Sequence, residues 1–473
     1  MRQAGDLVRF ANAQQTENTS MSLDTTNRLS EFNLRTSWED IPQEILHEGK
    51  RCLINFIAVA MYSSRDPSLD ILLNIFDLEG GKSHSSIFGV GRRTTMQNAA
   101  LANGYLGHLE DYDDTHYPTV IHPSSPTFPA ALAVGEQLGV SGRDVLVASV
   151  LGMEICCRIG VAVVEEQYNH CWHITGTCGV FGAAMAAGRL VGLDTNQMVY
   201  AAGIAATQAS GLREGFGTMT KPFHPGRASQ SGVMAALLAD GGFTATTQAI
   251  EGERGFALAF SEHPQLFKAT EELGDRWEIL SNGLKLYSCG MATHSLIDAA
   301  VSLRSEEGVT PENIESIRAR VHPSVLEKVN RSHPATGMEG KFSLQHCIAL
   351  GLVEGAALPH HFIDAKVADR TIAALRDRII ASPEPMLDEE EAELDVVLQD
   401  GRTLTRRVNT PTGSPANPVT DSQLEGKFMS LVRDVLPRPL TEQLLNQLWE
   451  LDRVEDIRAM LRLTRVRGRR VRF

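Results

Sequence analysis

The apolar positions of this chain follow two different rules. Up to about residue 282 they recur at helical spacing. Asp40-Ile41-Pro42 reads as a helix start, and Ile45, Leu46, Leu53, Ile54, Ile57 and Met61 then form one stripe. Segments 142–166, 176–192, 197–211 and 227–241 are rich in Ala, Gly, Val and Met and apolar nearly all round. A helix apolar on every side belongs inside a body of other helices. Beyond about residue 283 the period changes. Ile314 to Val321 alternates apolar and polar, as a half-buried strand does, and 393–408 alternates around Asp400-Gly401, a hairpin signal. Helical stretches at 290–306, 343–357 and 366–381 lie between these strands, and 409–420 is a Pro/Gly/Thr linker. Helical pattern returns at 421–461.

The expected fold is therefore mainly α, a large all-helical domain plus a smaller α+β lid domain. The helical domain is assigned to 28–282 and 415–462, with the lid at 283–414. Residues 1–27 and 463–473 are expected to be flexible tails, the second carrying a run of arginines.

At 473 residues the chain is long enough for two or three domains. Its 44 Lys+Arg against 58 Asp+Glu leave it at −14, a poor match for phosphate backbones, so no nucleic-acid partner is expected. No transmembrane span and no secretory signal are expected, since the apolar stretches are broken and residues 1–26 are polar. A cytoplasmic location is the first expectation; a weak presequence at the N-terminus gives a mitochondrial one as the alternative, and Met21 is a second candidate start. Seven cysteines without a C-x-x-C argue against a disulfide framework, a zinc ribbon or an iron–sulfur cluster. No G-x-S-x-G, Walker loop or Rossmann fingerprint is present, which removes support for the corresponding hydrolase, NTPase and dinucleotide classes.

Four clusters remain as candidate chemistry. Glu110 to His116 (EDYDDTH), followed by His122-Pro123-Ser124-Ser125, concentrates carboxylates beside histidines. It reads either as a solvated acidic loop or as an acid/base site. His170-Cys171-Trp172-His173 precedes a Gly/Thr-rich helix start, a place that favours anions. Thr220 to Arg227 (TKPFHPGR) places Lys221, His224 and Arg227 ahead of a helix, a set suited to a carboxylate-rich substrate. Lys285 opens the lid, close to Cys289 and His294. No ligand pair stands at metal spacing, so neither metal nor cofactor is expected.

In order along the chain, the stretches 104–125, 173–184, 219–233, 284–295 and 340–350 resemble the MmgE/PrpD family. That family includes 2-methylcitrate dehydratase, cis-aconitate decarboxylase and iminodisuccinate epimerase. The resemblance implies a metal-free homodimer with a helical domain and a lid. It marks Asp111, Thr115, His122, His173, Lys221 and Lys285 as the site. In the decarboxylase branch a tyrosine precedes V-N-R, where this chain has Lys328 before Val329-Asn330-Arg331; this counts against decarboxylation of cis-aconitate. Arg213 and Glu214 stand out as a local substrate determinant. The expected function is a cofactor-independent lyase of the 2-methylcitrate dehydratase type, acting on a small di- or tricarboxylate. A decarboxylase or epimerase is the alternative, and a non-catalytic acid-binding protein a third. His122, oriented by Asp111, is expected to move the proton, with His173 and the lysines holding carboxylates.

Overall fold

A computed structural model describes residues 24–167 and 170–466. The fold is mainly α, with a smaller α+β domain toward the C-terminus. Its body is a stack of helices, among them Gln43–Ser63, Met96–Leu109, Ser124–Leu138, Gly142–Gln167, Ile174–Val191 and Thr220–Asp240. Small residues let these axes come close. A Cβ added to Gly104 would stand 2.8 Å from the Cα of Gly226, and one added to Gly226 would stand 2.5 Å from the Leu101 carbonyl oxygen. Helices Met96–Leu109 and Thr220–Asp240 thus cross backbone on backbone. The crossing matters because the first helix ends two residues before Asp111 and the second begins one residue before Lys221.

Two helical stretches, Gly142–Val164 and Ile174–Val191, are apolar and long enough to cross a membrane, which the broken apolar runs did not suggest. They lie 89% and 83% buried inside the protein, so core packing accounts for their apolarity. The helices Asp421–Val432 and Arg438–Trp449 return to this body, where Leu424, Phe428, Val432 and Leu444 join the core of Gln43–Ser63.

The lid has its own core, built from residues between Cys289 and Leu398. Its four-stranded sheet runs Ile379–Pro383, Ile314–Val321, Ala392–Leu398, Thr403–Val408, with the first pair parallel and the others antiparallel. The expected hairpin forms with Gly401 at φ +85°, a value glycine adopts without a Cβ clash.

Several local expectations need correction. The stretch 366–381 is not one helix. The helix Arg370–Arg376 ends, and Ile379–Pro383 becomes a strand because it pairs beside Ile314–Val321, a tertiary partner that local pattern does not reveal. The TKPFHPGR segment does not precede its helix but forms its first two turns: Pro222 falls where no helical N–H partner is needed, and Pro225 is tolerated inside. At the N-terminus, helix Thr25–Arg35 begins inside the expected tail, with Thr25 and Thr26 buried and Thr26 bonded to Glu251. At the other end Arg465 reaches Glu136 at 2.7 Å, so residues 463–466 pack against the body. The rest of the two expected tails, 1–23 and 467–473, lies outside the described residues.

Candidate active site

Strand Asp114–His116 pairs antiparallel with Asn282–Leu284, Asp114 opposite Leu284. This short ladder brings Lys285, the next residue, against the acidic loop 170 residues earlier in the chain. Asp111 adopts φ +50°, an uncommon conformation that aspartate tolerates better than most residues. Both its backbone carbonyl and its carboxylate then face Lys285, whose Nζ donates to them at 3.1 and 2.7 Å. Lys221 Nζ takes the other carboxylate oxygen at 3.0 Å. Its ammonium also lies 5.3 Å from the rings of both Phe216 and Phe342. Burial alone would raise the Asp111 pKa, but Lys221 and then Lys285 outweigh it and hold the carboxyl well below its ordinary range. Burial pulls Lys221 down against the opposite pull of Asp111.

Asp111 is therefore an anchored carboxylate, unsuited to be the base, and it does not orient His122. That role falls to its neighbours. His122 Nδ1 lies 2.8 Å from the Asp114 carbonyl oxygen, 3.2 Å from Thr115 Oγ1 and 3.3 Å from Asp113 Oδ1. A carbonyl oxygen can only accept, so Nδ1 carries the hydrogen and neutral His122 keeps its lone pair on Nε2. Asp113 in turn accepts from His108 Nδ1 at 2.8 Å and Ser125 Oγ at 2.6 Å. Burial drives the pKa of His108 down to about 3 despite Asp113, so this histidine is a neutral brace. Asp114, buried beside Asp113, is pushed up to about 7.

His173 stands at the N-terminal boundary of the helix Ile174–Val191, as expected, without a side-chain capping bond. Burial first, then the nearby His108 and Lys221, keep it well below the ordinary histidine pKa. It acts as a neutral ring rather than a cation. Its Nδ1 is 3.0 Å from His224 Nδ1, so one ring donates to the other. With His224 donating, His173 presents an Nε2–H donor.

A cavity of about 190 Å³ opens between body and lid. Asp111, Thr115, His122, His173, Lys221 and Lys285 all line it, together with Arg213 and Lys328. Two expected ligand-binding residues do not. His224 stands behind His173 and reaches the cavity only through it. Arg227 is exposed and bonds Gln230, because it lies six residues, and so about 240° of helix, from Lys221. Glu214 is also absent from the lining. Sequence reasoning missed Asp113 and His108, whose pairing needs the loop to fold back. It also missed Lys427, whose Nζ donates to the carbonyls of Tyr112 (2.9 Å) and Lys285 (2.7 Å) and ties the C-terminal return to both halves of the site. Three of the four described non-glycine residues with positive φ, Asp111, Val120 and Cys171, sit at or within two residues of site side chains.

One further arrangement bears on metals. His108, Asp111, Asp113 and His122 each bring a ligating atom within 4.8 Å of the others, which spacing alone did not suggest. The carboxylate of Asp111 already holds two ammoniums, so a divalent ion would enter against two like charges.

The chain is similar over nearly its whole length to known proteins. A cis-aconitate decarboxylase of Aspergillus terreus is 26% identical over 470 residues, 93% of this chain and 95% of the relative. The cis-aconitate decarboxylases of Mus musculus (27% identical, 89% of each chain) and Homo sapiens (26% identical, 88% of this chain and 89% of the relative) match along the same extent. The MmgE/PrpD N-terminal domain matches residues 27–268 and the MmgE/PrpD C-terminal domain residues 287–451, so the helical body, the lid and the cavity between them are those of a member of the MmgE/PrpD family.

Proposed function

We infer that this protein is a lyase that breaks a bond next to a carboxylate of a small di- or tricarboxylate, with proton transfer to or from carbon. One arrangement carries the reading: Asp111 holds the ammoniums of Lys221 and Lys285 on the cavity wall that also presents His122 and His173. The lysines neutralise substrate carboxylates. The same charges stabilise the electron density that spreads onto a carboxylate when the adjacent carbon gains carbanion character. His173 adds an uncharged ring, whose Nε2–H is a donor when His224 donates to its Nδ1. His122 exchanges the proton through Nε2 while Asp113 and the Asp114 carbonyl fix its ring.

Decarboxylation is the first form of the reaction to test, because the relatives spanning the chain carry that name. The C–C bond to the leaving carboxylate breaks, carbon dioxide departs, and protonated His122 delivers a proton to the carbon that keeps the electron pair. Dehydration is the second reading, favoured by Lys328 on the cavity wall where the decarboxylase branch resembled by this chain carries tyrosine. In that form neutral His122 removes the proton from carbon, and the hydroxyl group takes a proton from the resulting His122 imidazolium and leaves as water. An epimerase would use the same proton exchange, breaking and re-forming only the C–H bond at the stereogenic carbon. A homodimer belongs to the proposal and is checked by sedimentation.

Proton NMR in D2O of cis-aconitate, 2-methylcitrate, citrate and iminodisuccinate with the purified protein separates these readings. Carbon dioxide with a deuterated product supports decarboxylation, and an alkene from a hydroxy acid supports dehydration. Deuterium exchange with inversion alone supports epimerisation. Binding without conversion would return the non-catalytic reading.

A further inference from the structure

The cavity has two ends of different character. Its inner wall is sealed: Asp111 and Lys285 are each 4% exposed and Lys221 6%. Its outer wall is formed by the short helix Pro323–Val329, which turns Val325, Lys328 and Val329 toward the cavity on one face, and by Glu389, Glu390 and Glu391 before the strand Ala392–Leu398. Between two valines, Lys328 is the charged point of that helix face. Its Nζ is 2.6 Å from Glu389 Oε2, in a pair whose side chains are 27% and 56% exposed. An ion pair open to solvent is held weakly and exchanges partners readily. Of the neighbouring acids, Glu391 is occupied by Arg407 at 3.0 Å.

Without Lys328, the carboxylates of Glu389 and Glu390 would face an incoming polyanion beside the Arg407-paired Glu391. With it, an ammonium stands on the cavity wall, held by the partly exposed Glu389. We propose that Lys328 is the specificity-determining residue of this chain: it receives the carboxylate of the substrate farthest from the Lys221–Lys285 end, displacing Glu389, and so selects tricarboxylates over dicarboxylates. Glu389 acts as the built-in competitor for that ammonium. This rests on the polycarboxylate reading above and names the substrate class within it.

Opposite signs are expected from the two partners of the pair. The probes are propane-1,2,3-tricarboxylate and 2-methylsuccinate (propane-1,2-dicarboxylate), which share a carbon chain and differ by one terminal carboxylate, titrated calorimetrically into the full-length protein. Lys328→Met should weaken the tricarboxylate by about 10- to 100-fold, the span of one charge-assisted contact, and 2-methylsuccinate by less than about threefold. Lys328→Arg should keep the preference. Glu389→Gln should tighten the tricarboxylate, because the competitor no longer holds Lys328. Equal losses for both acids in Lys328→Met, or weakened binding in Glu389→Gln, would overturn the assignment while leaving the lyase reading in place. If neither acid binds the wild-type protein and no acid of the NMR panel is converted, the polycarboxylate reading falls and the Lys328 assignment falls with it.

Discussion

The inner and outer ends of the cavity are both lined with charges, yet they are built by different means. At the inner end, a buried carboxylate on a loop is held between two buried ammoniums, one on the helix Thr220–Asp240 and one just after the strand Asn282–Leu284. At the outer end, a short helix and a strand-leading loop of the lid carry a half-exposed ion pair on side chains that water can replace. The contrast teaches a division of labour. Groups that need a fixed position and a perturbed charge state sit where the body meets the first residues of the lid, and groups that meet variable parts of a substrate come from deeper in the lid.

The largest way to break this contrast is to remove one member of each pair. Asp111→Ala leaves Lys221 and Lys285 buried without a counter-charge and should cost about 3–5 kcal/mol of stability in urea unfolding. Glu389→Gln, removing the acid of the outer pair, should change stability by no more than about 1 kcal/mol. Similar losses for both would mean that the two ends are not distinct.

A second test addresses the helix crossing. Gly226→Ala should cost about 1–3 kcal/mol through overpacking and should also lower activity, because the helix it displaces carries Lys221. Gly426→Ala, where an added Cβ meets nothing within 4 Å, should leave both unchanged or improve stability slightly.

The third is a pH dependence confined to the body. Burial lowers His224 to about 4 and His108 to about 3, and also lowers His173. Below the unfolded histidine value of about 6.5 the unfolded chain takes protons that the native site refuses. Stability is thus fully present above about pH 6.5 and falls as the pH drops toward the folded values. The melting temperature should decline from pH 6.5 to 4, and His224→Gln should flatten that limb. Asp114 works in the opposite sense. Its raised value of about 7 means its share of stability is lost as the pH rises from about 4 through 7, so Asp114→Asn should help most near pH 8. The smallest expected effect is none at all: turnover should survive EDTA, since the cations at Asp111 are lysines. Loss restored by a divalent ion would turn the His108–Asp111–Asp113–His122 group into a metal site.

Much of this was legible in the sequence, for identifiable reasons. The switch from helical to alternating periodicity revealed the two kinds of domain, because burial on one face or on all faces leaves its mark locally. The motif lysines and histidines were legible because each stands in a distinctive short stretch. What stayed hidden depends on partners distant in the chain. Four carboxylates crowd between Glu110 and Asp114, and only the left-handed turn at Asp111 and the ladder to Asn282–Leu284 decide which meets the lysines and which meets His122. Lys427 looks like an ordinary helix lysine until its helix docks behind Tyr112 and Lys285. The prolines at 222 and 225 disguised a helix start, which placed Arg227 on the wrong side of it.

The central claim is that His122 moves a proton at a substrate carbon held by the Asp111-anchored lysines. The most direct measurement compares wild-type protein with His122→Gln by proton NMR in D2O, on whichever acid of the panel is converted. The account predicts that kcat falls by at least about 100-fold and that deuterium no longer enters the product at the reacting carbon. Near-normal turnover with undiminished deuterium incorporation in His122→Gln would contradict it and pass the role to His173.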